Sequence, residues 1–531
     1  MNNLGLRQSV FVMLSIFLLI IDGCRSGGDS SPPAATGGAV SLSGSIKLVT
    51  GGTIILSGSI KYEDKLYDNS GFTGSTIFKP IRFASIEVVR DIDSAVLSST
   101  ITDSDGIYSL VFTNTDSPGI YIRVIAETSN LHVKNNVING NIYAARSDTF
   151  DTSKAGDFTT LSVWAGGAFN ILDVLTDGMI FLSSLTGTPQ PMLTAFWEKN
   201  SCDGTYFDGF DNSIHLLGGC PVANPGDTDE YDDDIILHEF GHFAAANFSE
   251  DDSQGGDHFL DDNTEDIRLA WSEGWAHFFS SAIRGNPRQV DTILSIASSF
   301  EIEGPSPLAS STIYTTSEVS VATVLWDIFD NTNEAFDALS LGISPIWDVF
   351  YGYLPTAPSV SIEDFWDGWF KRGHGFETEM LNITEDRKME LFEDNFEQDN
   401  SPDPTRKITV NEPAKHHTIY PLGDKDVVAF DVTQGQTYTI ETLNLSNGAD
   451  TFLEILDSNG TTVIASNDNY SGITYPINCF MCPPNDATTL SSRVKITASN
   501  TGILYARITR SSSAPNSAGM YGSYDLKASF P

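Results

Sequence analysis

The order of hydrophobic and polar positions divides the chain into three regions after its first 50 residues. From about 51 to 128, short alternating stretches lie between clusters of Gly, Asp, Asn and Pro, which predicts a small β-sandwich. From 129 to 404 the apolar residues recur in helix-length segments mixed with short strands, and from 405 to 531 the alternating pattern returns. The pattern therefore predicts a multi-domain protein in which a central α+β domain lies between two β-sandwiches.

The start of the chain predicts export. Arg7 and the apolar run "VFVMLSIFLLII" are typical of a signal peptide over residues 1–23, and the run is too short to span a bilayer. The residues before Cys24 resemble the lipobox of bacterial lipoproteins, which implies that Cys24 is lipidated. Asp22 departs from that pattern, and an ordinary signal peptide cleaved nearby is the alternative. Residues 24–50, rich in Gly, Ser and Pro, are predicted to form a flexible tether.

Charge narrows the range of partners and locations. The chain has 70 acidic and 29 basic residues, a formal net charge of −41. Such a chain repels nucleic acid and anionic membrane surfaces, so nucleic acid is excluded as a partner and the membrane is contacted only through an N-terminal lipid anchor. We expect a bacterial lipoprotein at the cell surface or outer membrane, or otherwise a secreted protein.

The four cysteines that remain after Cys24 form an even set in an exported chain, which favours disulfide bonds. The simplest pairing by distance along the chain is Cys202 with Cys220 and Cys479 with Cys482.

The stretch "DDDIILHEFGHFAAANF", residues 232–248, is predicted to be a helix, because its apolar residues recur at helical spacing and aspartates stand at its start. His238 and His242, four residues apart, then lie on one face and can bind one ion. Glu239, about a quarter of a turn away, can act as a base toward a water activated by that ion. Ala245 stands where the metzincin motif requires glycine, which excludes that family.

A third metal ligand is expected from the segment "LAWSEGWAHFFSSAIRG", residues 269–285. Its apolar residues predict a largely buried helix, and Glu273 is the acid in its middle. A carboxylate inside an apolar helix is costly unless it is paired or bound to a metal. A buried ion pair is the alternative for Glu273.

The acidic run from Asp227 to Asp234 allows two interpretations. It is typical of a helix start with a solvated face, and it could also contribute to a calcium site, although a full set of Ca²⁺ ligands is not apparent. His258, between the two predicted helices, has no role that the sequence decides.

Three segments resemble known families. "HEFGH" followed by "SEGWAHFF" looks like the gluzincin metallopeptidases, most of all the fungalysin type within the thermolysin-like group. That resemblance implies a thermolysin-like domain at 129–404, one catalytic Zn²⁺ held by His238, His242 and Glu273, and Glu239 as the base. Residues 51–128, with the hairpin motif "TDSDGIYSL", resemble carboxypeptidase regulatory-like domains. Residues 405–531 resemble the bacterial pre-peptidase C-terminal domain.

Two positions depart from the fungalysin pattern. Tyr314 stands where those peptidases have a histidine near the transition state, and a phenol can donate a hydrogen bond to an oxyanion. His277 replaces an aspartate four residues after Glu273 and can orient a ligand from behind, although an ordinary satisfied histidine is the alternative.

The sequence predicts a zinc-dependent endopeptidase that acts on proteins or peptides. A surface binding protein or adhesin with an impaired peptidase-like domain, and a zinc hydrolase with a non-peptide substrate, remain alternatives. The cleavage preference and the removal of a pro-region are left open.

Overall fold

The computed structural model describes residues 38–49, 52–114, 119–135, 140–163, 165–222, 227–293, 296–303, 313–332, 335–357, 359–396, 398–470, 490–514 and 518–530. The predicted signal segment, Cys24 and the pair Cys479 and Cys482 lie outside these residues. The contacts group the chain into two compact units, one formed by residues up to 248 with 255–259 and 276–303, the other by 249–254, 260–275 and 304 onward.

Two five-stranded sheets open the first unit. In one sheet β2 pairs with β1, β3 and β6, and β1 also pairs with β11; in the other β7 pairs with β4, β9 and β10, and β4 also pairs with β5. The strands of this region are β1 (Ala39–Leu48), β2 (Thr53–Asp68), β3 (Gly71–Pro80), β4 (Ser85–Arg90), β5 (Val96–Ile101), β6 (Ile107–Thr113), β7 (Gly119–Ile125), β8 (Leu131–Lys134), β9 (Ala144–Arg146), β10 (Phe150–Asp151) and β11 (Gly156–Val163). Strand β8 belongs to neither of these two sheets.

The strands of this region begin before residue 51 and continue after residue 128, so they extend in both directions beyond the range that the sequence predicted. Strand β1 lies inside the predicted tether, because Val40 and Leu42 are buried in alternation and the strand pairs with both β2 and β11. Strands β9 to β11 lie beyond residue 128, so the β region does not end there. The tether boundary at 50 and the domain boundary at 128 were therefore wrong.

The motif "TDSDGIYSL" forms the turn between β5 and β6. The Asp103 carboxylate accepts hydrogen bonds from the N–H groups of Asp105 and Ile107, and Gly106 adopts a φ of 71°, which favours glycine. The side chain of Thr102 accepts a hydrogen bond from the Ala84 N–H. The Asp103 carboxylate thus satisfies backbone donors within the turn.

The rest of the first unit combines helices with a four-stranded sheet. The parallel pairs β8–β12 and β12–β14 form its centre, and β13 is antiparallel at its edge. The elements are α1 (Gly166–Thr186), β12 (Leu193–Trp197), β13 (Tyr206–Asp208), β14 (Ser213–Leu216), α2 (Asp233–Phe248), α3 (Ile267–Arg284), β15 (Arg288–Ile293) and β16 (Ile296–Glu301). The motif helix α2 lies in this unit, and α3 contributes residues to both units.

Helix α2 packs closely on α3 at a glycine. A Cβ atom at Gly241 would lie 2.7 Å from the Cα of Ala276, so no larger residue fits without moving backbone. On the other side, Gly178 of α1 lies against the ring of Phe240, where a Cβ would approach to 2.8 Å. Small residues thus let α2 pack closely against both neighbouring helices.

Helix α1 is long and apolar enough to cross a membrane by length and composition, and 67% of its apolar window is buried inside the protein. Among the described residues, α1 is the one helix that is long and apolar enough for this. Its burial inside the protein is typical of a core helix.

Among its described residues, the second unit contains the first half of α3, four further α-helices and a β-sandwich-like C-terminal region. The elements are α4 (Glu318–Phe329), α5 (Ile343–Gly352), α6 (Ile362–Lys371), α7 (Glu377–Asp386), β17 (Lys415–Thr418), β18 (Asp426–Val432), β19 (Thr437–Ser446), β20 (Thr451–Leu456), β21 (Val463–Asn467), β22 (Arg493–Thr497), β23 (Gly502–Arg510) and β24 (Ser523–Ser529). The sheets have the orders β17-β24-β19-β22 and β18-β23-β20-β21. Both contribute to one core that includes Phe430, Ile440 and Leu453. The predicted C-terminal β-sandwich is confirmed as a sandwich-like region.

We expect Gly241→Ala to destabilise the protein by about 1–2 kcal/mol, because overpacking against Ala276 outweighs the helix propensity that alanine gains. Urea unfolding of both forms measures this loss. Gly156→Ala is the matched control, since a Cβ at Gly156 meets no atom within 4 Å. Equal destabilisation by both substitutions would contradict the proposed tight crossing.

Candidate metal centre

Helix α2 carries the two histidines of the motif on one face. Ile236, Phe240 and Phe243 are buried along its apolar side, which fixes the rotation of the helix. The rings of His238 and His242 are 5.0 Å apart between their centroids, as expected for residues one turn apart.

His277 supports the first of these histidines. Its Nδ1 lies 3.2 Å from Nδ1 of His238, and both rings are buried. A contact through Nδ1 turns Nε2 of His238 to the other side of the ring, where it can bind a metal. The sequence predicted that His277 orients a ligand from behind, and the structure places it against His238.

The position of Glu273 on α3 follows from this packing. It lies one turn before His277 in the same helix, with 2% of its surface exposed. Ligand atoms of His238, His242 and Glu273 all lie within 4.8 Å of one another. Two imidazoles and one carboxylate are the donor set of many catalytic zinc sites, so the residues fit a zinc ion.

Glu239, the predicted base, is buried on α2 between the two histidines, with 6% of its surface exposed. It follows His238 directly, so its side chain leaves the helix about 100° from that of His238.

Tyr314 lies in the turn before α4. Its φ is 81°, a left-handed conformation that costs a non-glycine residue of the order of 1 kcal/mol or more, and its N–H donates to the carbonyl of Arg387. Ser317 then caps α4 by accepting a hydrogen bond from the N–H of Ser320. The turn therefore fixes the backbone of Tyr314 before the helix begins.

A second donor group shares Glu273. Ligand atoms of His258, Glu273 and Glu318 lie within 4.8 Å of one another, and all three residues are buried. The sequence left His258 without a role. Glu318 stands in the first turn of α4, where a carboxylate is common because of the helix dipole, so no signal in the sequence indicates its burial.

The acidic run before α2 is buried, which corrects the prediction of a solvated face. Asp232 accepts hydrogen bonds from the N–H and hydroxyl of Thr292, and Asp234 is paired with Arg284. Asp229 accepts a hydrogen bond from the hydroxyl of Thr205. These partners come from β15, from α3 and from the residue just before β13, which lie around the start of the helix.

Three carboxylates of this region converge. Ligand atoms of Asp227, Asp229 and Asp291 lie within 4.8 Å of one another. Burial raises the pKa of Asp227 to about 6, and burial together with the charge of Asp227 raises the pKa of Asp291 to about 7. Burial, with the charges of Asp291 and Asp227, also raises the pKa of Asp229. Calcium binding by this group stays a prediction.

The disulfide between Cys202 and Cys220 is confirmed, with a Cα–Cα distance of 4.5 Å.

Comparison with known families places a peptidase-related region over this centre. Residues 186–385 match the family model of the mycolysin C-terminal domain. The matched range contains α2, α3 and α4, and therefore every residue discussed above as a zinc ligand or base. This supports a protease-related protein.

A relative matches a short part of the chain. An uncharacterized protein of Archaeoglobus fulgidus is 32% identical over 117 residues, which is 20% of this chain and 32% of that protein. The chain thus spans about a third of the length of this relative.

Two solved structures align with about a quarter of the chain. The pre-peptidase C-terminal domain of a collagenase from Bacillus anthracis is 17% identical, with a TM-score of 0.16 over 23% of this chain and 92% of that one. A periplasmic inhibitor of g-type lysozyme from Aeromonas hydrophila is 9% identical, with a TM-score of 0.14 over 24% of this chain and 98% of that one. At these scores neither likeness carries an argument.

The raised pKa values of Asp227 and Asp291 predict how stability depends on pH. Both carboxyls hold protons more strongly in the folded chain than in the unfolded one, so stability falls as the pH rises from about 4 to 7. We expect Asp291→Asn to reduce this fall when Tm is measured in chelator from pH 5 to pH 8. Asp105→Asn, in an exposed turn, is the control. An unchanged pH dependence in Asp291→Asn would contradict this assignment.

Proposed function

We propose that this protein is a zinc-dependent endopeptidase that hydrolyses protein or peptide substrates. One observation carries the proposal: the donor atoms of His238, His242 and Glu273 converge, while the buried Glu239 lies on the same helix as the two histidines. The match of residues 186–385 to a peptidase-associated family model supports it.

The ligand residues have separate tasks in this proposal. His238 and His242 would hold the zinc from α2 and Glu273 from α3, and a bound zinc supplies positive charge that lowers the pKa of a water to about 7. His277, through its contact with Nδ1 of His238, keeps that ring in the orientation in which Nε2 binds.

Glu239 moves the proton. One oxygen of its carboxylate takes a proton from the attacking water as the water oxygen bonds to the scissile carbonyl carbon. The same carboxyl then gives this proton to the departing amine nitrogen when the carbon–nitrogen bond breaks. Base and acid are one group, so no second carboxylate is required for this transfer.

Tyr314 is proposed as a donor to the oxyanion. Its phenol takes the role that the resemblance assigns to histidine, and the strained turn before α4 fixes its backbone. The same replacement favours the second candidate function, a surface binding protein or adhesin with an impaired peptidase site.

Location is proposed from the sequence. The predicted leader and Cys24 imply an exported protein that is either anchored by lipid at the bacterial surface or secreted. The net charge of −41 is compatible with an extracellular protein kept soluble by surface carboxylates.

Glu239→Gln tests the proposed function. We expect it to lower hydrolysis of unfolded casein by about 10²-fold or more and to leave the zinc content unchanged, because the amide cannot accept the proton. His242→Ala should lower the zinc content by one ion per chain. Glu250→Gln, exposed just after α2, is the control and should behave like the wild type.

The outcomes separate the alternatives. If the wild type and Glu239→Gln bind zinc equally and neither cleaves casein or peptides, the binding-protein candidate is favoured. If His242→Ala loses no zinc, the ligand assignment is wrong.

Tyr314→Phe tests the donor. We expect kcat to fall by about 10-fold to 10²-fold with little change in KM, since removal of one oxyanion donor acts mainly in the transition state. A kcat equal to that of the wild type would make Tyr314 a packing residue.

A further inference from the structure

A buried histidine at the start of the C-terminal sandwich lies between two carboxylates without forming a hydrogen bond to either. His417, on β17, has 1% of its surface exposed. Its Nδ1 is 3.6 Å from Oδ2 of Asp394 and 3.5 Å from Oδ1 of Asp426. Neither ring nitrogen has a hydrogen-bond partner among the described residues. A satisfied buried histidine would have such a partner.

These distances suit a shared metal ion better than a hydrogen bond. An N–H···O hydrogen bond is normally 2.7–3.2 Å long. Two ligand atoms on a tetrahedral ion with bonds of about 2.0–2.2 Å lie about 3.4 Å apart. The three ligand atoms of Asp394, His417 and Asp426 all lie within 4.8 Å of one another.

Each donor is held in place by a neighbour. Asp394 accepts hydrogen bonds from the N–H groups of Phe396 and Thr418, at 2.5 and 2.8 Å. Asp426 accepts one from the hydroxyl of Tyr524 through Oδ2, which directs Oδ1 toward His417. The imidazole lies between the rings of Phe396 and Tyr524, with centroid distances of 4.8 and 5.5 Å. Such outer contacts orient the ligands of protein metal sites.

The local charge also favours a cation. Asp399 and Asp424 are also buried close to the three residues. A protonated His417 would balance the charge of one of the four carboxylates, whereas a divalent ion would balance the charges of two.

We propose that Asp394, His417 and Asp426 form a second metal site, specific for a divalent ion of the zinc type. Imidazole nitrogen selects zinc and similar transition ions over calcium, and the two carboxylates complete three protein ligands with a place for water. Asp394 follows α7, before the predicted boundary at 404, while His417 and Asp426 belong to the sandwich. The ion therefore fixes the segment after α7 to the sandwich.

Metal content tests this site independently of the proposed peptidase. The full chain is stripped with chelator, reloaded with zinc alone, freed of excess by gel filtration and analysed by elemental mass spectrometry. We expect His417→Ala to lose one zinc per chain relative to the wild type, and its Tm to lose part of the rise that zinc gives the wild type. Casein hydrolysis per folded chain should not change.

His416→Ala is the matched control. His416 is the neighbour on β17, is half-exposed and contacts Glu390 and Asp525 instead. It should keep the zinc content of the wild type. Asp426→Asn is the second variant if His417→Ala fails to fold, because it keeps the side-chain shape and should also lose one zinc.

Two results would overturn the proposal. If folded His417→Ala and Asp426→Asn hold as much zinc as the wild type, His417 is a buried cation paired with carboxylates. If calcium but not zinc raises the Tm, and His417→Ala keeps that rise, the carboxylates bind a hard cation without the histidine.

Discussion

The close packing of α2 on the second half of α3 is the constraint on which the candidate centre depends. Gly241 against Ala276 brings the two backbones together, and this closeness lets Nδ1 of His277 reach Nδ1 of His238. Because α3 is a continuous helix, the same contact determines where Glu273 projects, one turn earlier. The glycine inside the motif "HEFGH" is therefore a packing requirement, while the residues on either side of it carry the chemistry.

Helix positions and the residues of the candidate donor group were accessible from the sequence, because both depend on local spacing. Two histidines four apart share a face in any α-helix, and an isolated acid in an apolar helix requires a partner wherever it lies. The orientation of His277 toward a histidine was not accessible in this way. It depends on how α2 crosses α3, because His238 and His277 are 39 residues apart in the sequence.

Burial of polar groups was the main feature that the sequence did not predict. The run before α2 has the composition of a solvated helix start, yet Asp232 binds Thr292, which is 60 residues away in the chain. Strand β1 lies in a stretch rich in Gly and Ser and becomes a strand through pairing with β11, more than 100 residues later. His417 carries no local signal, because its surroundings come from three separate segments. Long-range pairing decides these features, and periodicity reports only local order.

The excess of acid continues into the interior, where the proposed metal ions would balance part of its charge. Among the described residues, the fully charged cations that are buried are Arg268 and Arg387, while buried aspartates and glutamates are many times more numerous. Hydrogen bonds satisfy some of them, as for Asp232, while burial raises the pKa values of Asp227 and Asp291, so these carboxyls hold protons more strongly than usual. Protonation leaves such a group neutral but weakens it as a hydrogen-bond acceptor, whereas a divalent ion balances two carboxylates and orders them at once. A chain that buries so few basic side chains would therefore gain more from the proposed metal ions than one with paired charges, at the candidate catalytic centre and at His417 alike.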